Sequence, residues 1–310
     1  MSALSREAMG EVRADWRRVP EQTREWVTTC IGARARVVRV AFIGVSSTAQ
    51  HSVDVADGRG VVHPLVLRRF VRLERLATDP WYRPDREAAA LRLLERSPVP
   101  APRLVAADLE ARICDVPCLL VTRLRGRPLE RRSRSPRFLE ELAETLASIH
   151  AVDGSARSRV PLDRPYYEPD RLKAPAWSRR LELWQQAIRV AASPSPALPG
   201  CFLHRDYHPG NTLWLRGHLS GVVDWTSASL GPASVDVGHM RWNLALSKGV
   251  RAADRFLELY RLASGQRMNH QPYFDVRTVV DLIPDLSSPD PQGTDILRLE
   301  AYLRAVLERV

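Results

Sequence analysis

The chain has 310 residues, a hydrophobic fraction of 45% and a formal net charge of +10. This length accommodates one large domain or two lobes with a real core, and no apolar run approaches the ~20 residues that span a bilayer. The four cysteines form no C-x-x-C pair and the first residues lack a signal-peptide pattern, so we expect a cytoplasmic protein with no zinc site, no disulfide framework and no membrane partner.

The positive charge comes almost entirely from arginine. All but two of the 46 basic residues are arginine, and the exceptions are Lys173 and Lys248. A chain-wide bias of this kind is more typical of codon usage than of a basic surface selected to bind a polyanion. We therefore expect no nucleic-acid partner.

The first third of the chain predicts a helical leader followed by a small β lobe. Helix-like apolar spacing indicates that residues 1–32 form the leader, and residues 33–122 alternate in the manner of strands. The patterns predict strands at 36–43, 63–71, 104–107 and 118–122, a hairpin turn at 54–60 and a helix at 83–95.

The remainder, residues 123–310, predicts a larger and mostly helical lobe. The stretch 123–137 holds seven arginines and one glutamate, which indicates a solvated connector or, alternatively, an anion-binding segment. Apolar spacing predicts helices at 138–150, 177–192, 235–247, 251–263 and 295–310, with a Pro- and Asp-rich connection at 273–293.

A loop at residues 203–214 concentrates the chemistry of the chain. It reads His204-Arg205-Asp206, followed by Asn211, and a second acidic residue, Asp224, comes after the next apolar run. This order is the H-R-D-x-x-x-x-N pattern of a kinase catalytic loop. A carboxylate there accepts the proton of an attacking hydroxyl, while an amide and a second carboxylate hold the metal that bridges the phosphates.

The motif resembles that of the aminoglycoside phosphotransferase and choline-kinase-like family. The likeness continues in Asp224-Trp225 and in Gly231-Pro232 followed by Asp236, and it extends over about 35–275. The resemblance implies an α+β, two-lobed protein-kinase-like fold with a mostly antiparallel β N-lobe and a mostly helical C-lobe. It also implies ATP as the cofactor, with GTP as the alternative, together with Mg²⁺.

For the N-lobe, the resemblance implies a nucleotide site. The small-residue loop at 44–50, with Ser46 and Ser47, would cover the phosphates, and the alternative is an ordinary hairpin turn. Arg68 stands where the family carries lysine and would pair with Glu87; the alternatives are an exposed edge-strand arginine and a solvated glutamate. Backbone groups at Thr122 to Leu124 would contact adenine.

For the C-lobe, the resemblance implies catalytic roles. Asp206 would be the base, Asn211 and Asp224 would hold Mg²⁺, and His208 is a candidate to contact the phosphate or the acceptor. Asp236 would support the loop by hydrogen bonding, with a plain helix-start aspartate as the alternative.

The resemblance implies that the acceptor is a small molecule with a hydroxyl group, either an antibiotic such as an aminoglycoside, which would confer antibiotic resistance, or a metabolite. Candidate carboxylates for a cationic acceptor are Asp275, Asp281, Asp285 and Asp290, each of which could instead be a solvated loop residue. A protein kinase is disfavoured because no long activation segment follows Asp224. A nucleotide-binding pseudokinase with a regulatory role is the alternative, and the oligomeric state stays open.

Overall fold

The computed structural model describes residues 14–128, 137–154, 160–265, 269–286 and 294–310. These residues divide into two compact units. The N-terminal unit comprises 14–125 and 221–227, and the C-terminal unit comprises the described residues of 126–220 and 228–310. The division of the chain at residues 32 and 122 stays a prediction, and the first 13 residues of the predicted leader lie outside the described residues.

The N-terminal unit is built on one antiparallel sheet. Its strands are β1 (Arg36–Val45), β2 (Ala49–Ala56), β3 (Val62–Arg69), β4 (Leu104–Asp108) and β5 (Cys118–Thr122). The strand order is β1-β2-β3-β5-β4, so β3 is central. The helices are α1 (Glu21–Ile31), α2 (Leu73–Thr78) and α3 (Pro84–Leu94).

Alternation along the strands explains the core of this unit. Inward residues such as Val53, Leu65 and Leu67 are buried and cluster with Trp26 and Val27 of α1. Burying each such side chain contributes about 1.5–3 kcal/mol, which fixes the register of the central strands. Register in turn decides which side chains of β3 face the functional site.

After residue 125 the chain is mostly helical. The helices are α4 (Phe138–His150), α5 (Leu181–Ala192), α6 (Ser234–Lys248), α7 (Val250–Ala263), α8 (Pro272–Val280) and α9 (Thr294–Leu307). Short strands lie between them: β6 (Arg127–Pro128), β7 (Gly200–Leu203), β8 (Thr212–Leu215), β9 (His218–Val222) and β10 (Ser229–Pro232). The predicted α+β class, with an antiparallel β lobe followed by a helical lobe, is confirmed.

Helix α6 is the centre of the helical part and packs against α7, α8 and α9. Gly238 makes the contact with α8 possible, because a Cβ at this position would lie 2.8 Å from the carbonyl oxygen of Phe274. Asp236 and His239, on either side of Gly238 in this helix, both contact the loop 203–214 that carries the sequence motif, which we call the motif loop.

Several predicted boundaries are wrong, among them the hairpin turn at 54–60, because strand β2 continues to Ala56. The predicted connection 273–293 contains helix α8, because Pro272 occupies the first helical turn, where proline is tolerated, and Val276, Val279 and Val280 are buried at helical spacing. Helix α5 begins at Leu181 rather than 177, because the Ser178 hydroxyl accepts the Arg180 amide in a local turn.

The turn after β1 is also shorter than predicted. Val45 pairs with Ala49, which leaves three residues, 46–48, between the strands instead of the loop 44–50. Among the described residues, no helix is both long enough and apolar enough to cross a membrane.

Candidate active site

Asp236 holds the motif loop through hydrogen bonds to two of its backbone amides. Its Oδ2 accepts the amide of His204 at 2.8 Å, and its Oδ1 accepts the amide of Arg205 at 2.7 Å. His150, at the end of α4, lies 3.0 Å from Oδ2. These contacts stabilise the charge of Asp236 despite complete burial, and the predicted support of the loop by this residue is confirmed.

Arg205 holds the motif loop in place through the ion pairs of its side chain. Its guanidinium is buried and pairs with Asp163 at 2.7 Å and with Asp281 at 2.9 Å, and it lies over the ring of Tyr166 at 4.0 Å. The backbone of Arg205 has φ 70°, a left-handed conformation that an arginine holds only when its surroundings impose it. The loop is therefore a rigid support for the residue that follows.

That residue, Asp206, forms a centre with Asn211, His208 and His239, which we call the Asp206 centre. Asn211 Nδ2 donates to the carbonyl oxygen of Asp206 at 2.9 Å and to its Oδ2 at 2.9 Å. Both partners are acceptors, which identifies the donating atom as nitrogen and leaves Asn211 Oδ1 as the atom able to bind a cation.

The other carboxylate oxygen faces two imidazoles. His239 Nε2 lies 3.1 Å from Asp206 Oδ1, and His208 Nε2 lies 3.8 Å from the same atom. The partial loss of solvent alone would raise the pKa of Asp206, but His208, His239 and His204 outweigh it and hold that pKa well below its usual range. Sequence reasoning missed His239; its only signal was its place one helical turn after Asp236.

The protonation of His208 follows from its contacts. Burial lowers the pKa of His208 to about 4, so the ring is neutral near neutral pH. The amide of Gly210 donates to its Nδ1 at 3.1 Å, so the ring proton sits on Nε2, the nitrogen that faces Asp206. His208 is thus a neutral N–H donor beside the carboxylate.

The N-terminal unit carries a second centre, formed by Arg68, Glu87, Asp224 and Thr226, which we call the Arg68 centre. Arg68 Nε lies 3.0 Å from Glu87 Oε1, which is the ion pair that the sequence predicted. Arg68 Nη2 lies 2.8 Å from Asp224 Oδ1, a contact that the sequence did not predict. Thr226 Oγ1 completes the centre at 3.0 Å from Asp224 Oδ1 and 3.3 Å from Glu87 Oε2.

One guanidinium here faces two carboxylates. Burial by itself lowers the pKa of Arg68, but Glu87 and Asp224 outweigh it and raise that pKa. Burial raises the pKa of Glu87 to about 6, against the opposing effect of Arg68. Near neutral pH the centre therefore carries a net negative charge, which suits a divalent cation.

The two arginines of β3 point to opposite faces, as the alternation of a strand requires. Arg69 is buried and pairs with Asp115, away from the Arg68 centre. Asp224 has φ 68°, so its backbone, like that of Arg205, is held in the left-handed region. Trp225 beside it is fully buried and donates to the carbonyl oxygen of Val222 at 3.0 Å.

The remaining predicted nucleotide residues lie at the ends of the central strands. Ser46 is exposed and Ser47 half-buried in the turn between β1 and β2. At the end of β5 the amide of Thr122 donates to Arg103 at 2.9 Å and that of Arg123 to Pro64 at 3.0 Å. Among the described residues, the Leu124 amide donates to no other group, so of these three amides it is the one available to a ligand.

Two of the four acidic residues proposed for a cationic acceptor have other partners. Asp275 is buried and contacts Arg241, His270 and Tyr302, and the buried Asp281 pairs with Arg205. Both the acceptor role and the solvated-loop alternative are wrong for these two residues, because each neutralises a buried arginine. Asp285 is exposed. Asp290 lies outside the described residues.

The donor atoms fit a magnesium-nucleotide better than a preformed metal site. Among the described residues, no group of three or more His, Cys, Asp or Glu could hold a metal ion by itself. Mg²⁺ is ordinarily bound by one or two protein oxygens, with phosphates and water completing its shell. Asn211 Oδ1 and the Oδ2 of Asp224 are hard oxygen donors of this kind.

Structural comparison shows the same fold in several solved proteins. A Ralstonia eutropha JMP134 protein assigned as an aminoglycoside phosphotransferase aligns with a TM-score of 0.65 at 14% identity, over 94% of this chain and 98% of that one. A thermostable mutant of aminoglycoside phosphotransferase APH(4)-Ia, solved with ADP and hygromycin B, gives 0.61 at 15% identity over 93% and 98%. Amicoumacin kinase hAmiN, solved with AMP-PNP, Ca²⁺ and Ami, gives 0.61 at 10% identity over 94% of each chain. The fold is that of the protein-kinase-like phosphotransferases.

Sequence comparison adds a curated relative and a family. N-acetylmuramate/N-acetylglucosamine kinase of Neisseria meningitidis serogroup B (strain ATCC BAA-335 / MC58) is 27% identical over 150 residues, which are 42% of this chain. The match spans less than half of that relative, 44% of its length. The sequence model of the phosphotransferase enzyme family (APH) matches residues 46–270, which is most of the chain. The chain therefore belongs to the phosphotransferase enzyme family.

Proposed function

We propose that the chain transfers the γ-phosphoryl group of ATP, with GTP as the alternative donor, to a hydroxyl group of a small molecule. The Asp206 centre is the observation that carries this proposal. The Asp206 side chain is 36% exposed, so a substrate can reach it, while an amide and an imidazole hold its two oxygens. A buried structural aspartate would have no such access.

In the proposed reaction Asp206 accepts the proton of the acceptor hydroxyl. The hydroxyl oxygen forms a bond to the γ-phosphorus, the bond from that phosphorus to the bridging oxygen breaks, and the nucleoside diphosphate leaves. Asn211 and Asp224 would hold Mg²⁺, which when bound neutralises charge on the phosphate oxygens. His208, as a neutral donor, would contact a phosphate or acceptor oxygen.

The nucleotide would be bound by groups of the N-terminal unit. Arg68 would neutralise phosphate charge, held in position by Glu87, while Ser46 and Ser47 would cover the phosphates. The amide of Leu124, beside Thr122, would donate to the base. Arginine differs from the usual lysine in having several donor nitrogens, so it can hold Glu87 and Asp224 at once, as it does here.

The relatives narrow the class of acceptor. Their names describe phosphotransfer to aminoglycosides, to amicoumacin and to amino sugars. We propose a hydroxylated antibiotic or a sugar-like metabolite as the acceptor, in the cytoplasm. Since Asp275 and Asp281 are committed to buried arginines, they do not support a polycationic acceptor.

A panel of acceptors tests this function. Purified protein with Mg²⁺ and γ-labelled ATP is incubated with hygromycin B, a macrolide, a cyclic-peptide antibiotic, choline, homoserine or N-acetylglucosamine, and label transfer is measured. We expect transfer to at least one compound and its loss in D206A. Nucleotide binding without transfer, identical in D206A, would support the pseudokinase alternative.

A further inference from the structure

Helix α6 contributes one side chain, that of His239, to the Asp206 centre. His239 is not part of the sequence motif. His239 is 7% exposed, and its Nε2 lies 3.1 Å from Asp206 Oδ1. A proton on Nε2 lies against Oδ1, which as an ionised carboxylate oxygen only accepts hydrogen bonds, and His239 is one of the residues that lower the pKa of Asp206. This contact is shorter than the 3.8 Å that separates His208 Nε2 from the same oxygen.

The position of His239 is set by its surroundings. One helical turn earlier, Asp236 anchors α6 to the motif loop through two backbone amides. One turn later, Trp242 packs edge-on against the imidazole, with ring centroids 5.1 Å apart. The donor nitrogen therefore belongs to a rigid helix and not to the loop that it contacts.

Together with Asn211, His239 prevents the Asp206 carboxylate from rotating. Asn211 Nδ2 holds Oδ2 at 2.9 Å while His239 Nε2 holds Oδ1. A carboxylate fixed at both oxygens presents a defined lone pair to a substrate hydroxyl, and this alignment contributes to the rate of proton transfer rather than to nucleotide binding.

We propose that His239 is a positioning residue of the phosphotransfer site, holding Oδ1 of Asp206 in its reactive orientation. The inference rests on the proposed function. It requires that loss of the Nε2–H donor lowers kcat while leaving the KM for Mg-ATP unchanged, because the polar contact of Nε2 is with Asp206, the proposed base.

Three substitutions at this position test the role. Glutamine places a donor nitrogen near the position of Nε2, whereas asparagine is too short and leucine has no donor. We expect kcat to fall about 10- to 100-fold in H239N and H239L, as for loss of one hydrogen bond to a charged group, and to recover largely in H239Q. Thermal unfolding confirms that each variant is folded.

His218 supplies the matched control. Its Nδ1 contacts the Glu141 carboxylate at 2.9 Å, but its side chain is 67% exposed and outside the centre. H218Q and H218L should retain the wild-type kcat. Equal kcat values in H239L and H239Q, or a change in the KM for Mg-ATP alone, would overturn the positioning role.

Two further measurements separate this inference from the proposed function. With water as the acceptor, Mg-ATP hydrolysis should fall in D206A; if it does not, the proposed function fails whatever His239 does. In protein labelled with ¹⁵N-histidine, NMR should show a protected Nε2–H signal for His239 that is lost in D206A. Absence of that signal in the wild type would refute the contact itself.

Discussion

The two carboxylates of the motif are held by different kinds of partner. Asp224, in the Arg68 centre, receives a guanidinium at 2.8 Å, and that guanidinium also binds Glu87. Asp206, in the other unit, receives an amide at 2.9 Å and an imidazole at 3.1 Å. One is held by a permanent cation, and the other by nitrogen donors that orient it.

This difference matches the chemistry proposed for each residue. A metal ligand needs a stable negative charge in a fixed place, and arginine supplies this because it stays protonated at any accessible pH. A base must accept a proton during turnover, and donors that fix its orientation leave a lone pair available. The substitutions below should therefore give different results in the two centres.

Loss of the proposed base should have the largest effect. D206A removes the proposed proton acceptor, and we expect phosphoryl transfer to fall by about 10²- to 10⁴-fold, the usual contribution of a general base. The affinity for Mg-ATP should change little, because Asp206 is not itself a proposed ligand of the metal or of the nucleotide. Steady-state transfer and nucleotide titration measure the two quantities, and near-normal turnover in D206A would contradict the assignment.

Loss of the cation should affect folding as well as binding. R68A leaves Glu87 and Asp224 without their buried partner, and we expect a cost of about 3–5 kcal/mol in the free energy of unfolding. R69A is the matched control, because Arg69 is also buried and paired but on the opposite face of β3. Denaturant unfolding should show a loss in both variants, whereas only R68A should also lose nucleotide affinity.

Loss of the proposed metal ligand should appear only when a metal is present. D224A should weaken Mg-nucleotide binding by about 10²- to 10³-fold, comparable with the loss of a preorganised electrostatic contact. Asp115 offers a control of equal exposure, since its side chain is 23% exposed, Asp224 is 22% exposed, and both pair with an arginine of β3. Thermal shift with and without Mg²⁺ measures the effect, and a wild-type Mg²⁺ response in D224A would argue against the metal role.

The sequence predicted some features of the two centres and missed others. Alternation along β3 showed that Arg68 and Arg69 face opposite ways, and the motif order placed Asp206, Asn211 and Asp224 in one functional set. Both signals are local, because they depend on strand periodicity and on spacing within a loop.

The features that were missed depend on distant partners. Asp275 and Asp281 gave the segment 273–293 the composition of a loop, but arginines far away in the sequence neutralise both residues inside the fold. His239 shares a helix face with Asp236, yet nothing local shows that this face meets Asp206. The reach of Arg68 to Asp224 has the same cause, because only the folded strand and turn bring the two residues together.

The smallest expected effect is a pH dependence that arises in the Arg68 centre and not in the Asp206 centre. Burial raises the pKa of Glu87 from 4.5 to about 6, whereas the pKa of Asp206 lies well below its usual range. As the pH falls through about 6, Glu87 takes up a proton and Arg68 loses one partner, so we expect Mg-nucleotide affinity to fall a few-fold relative to E87Q, which has no titrating group at this position.

The free energy of unfolding should change in the opposite direction and rise as the pH falls, because the folded state binds the Glu87 proton more tightly than the unfolded state. Relative to E87Q, the wild type should lose up to about 2 kcal/mol of unfolding free energy as the pH rises from 4.5 to about 6, measured by denaturant titration at each pH. A constant difference in unfolding free energy across this window would show that folding does not raise the pKa of Glu87, and that Arg68 fully offsets the effect of burial on this carboxylate.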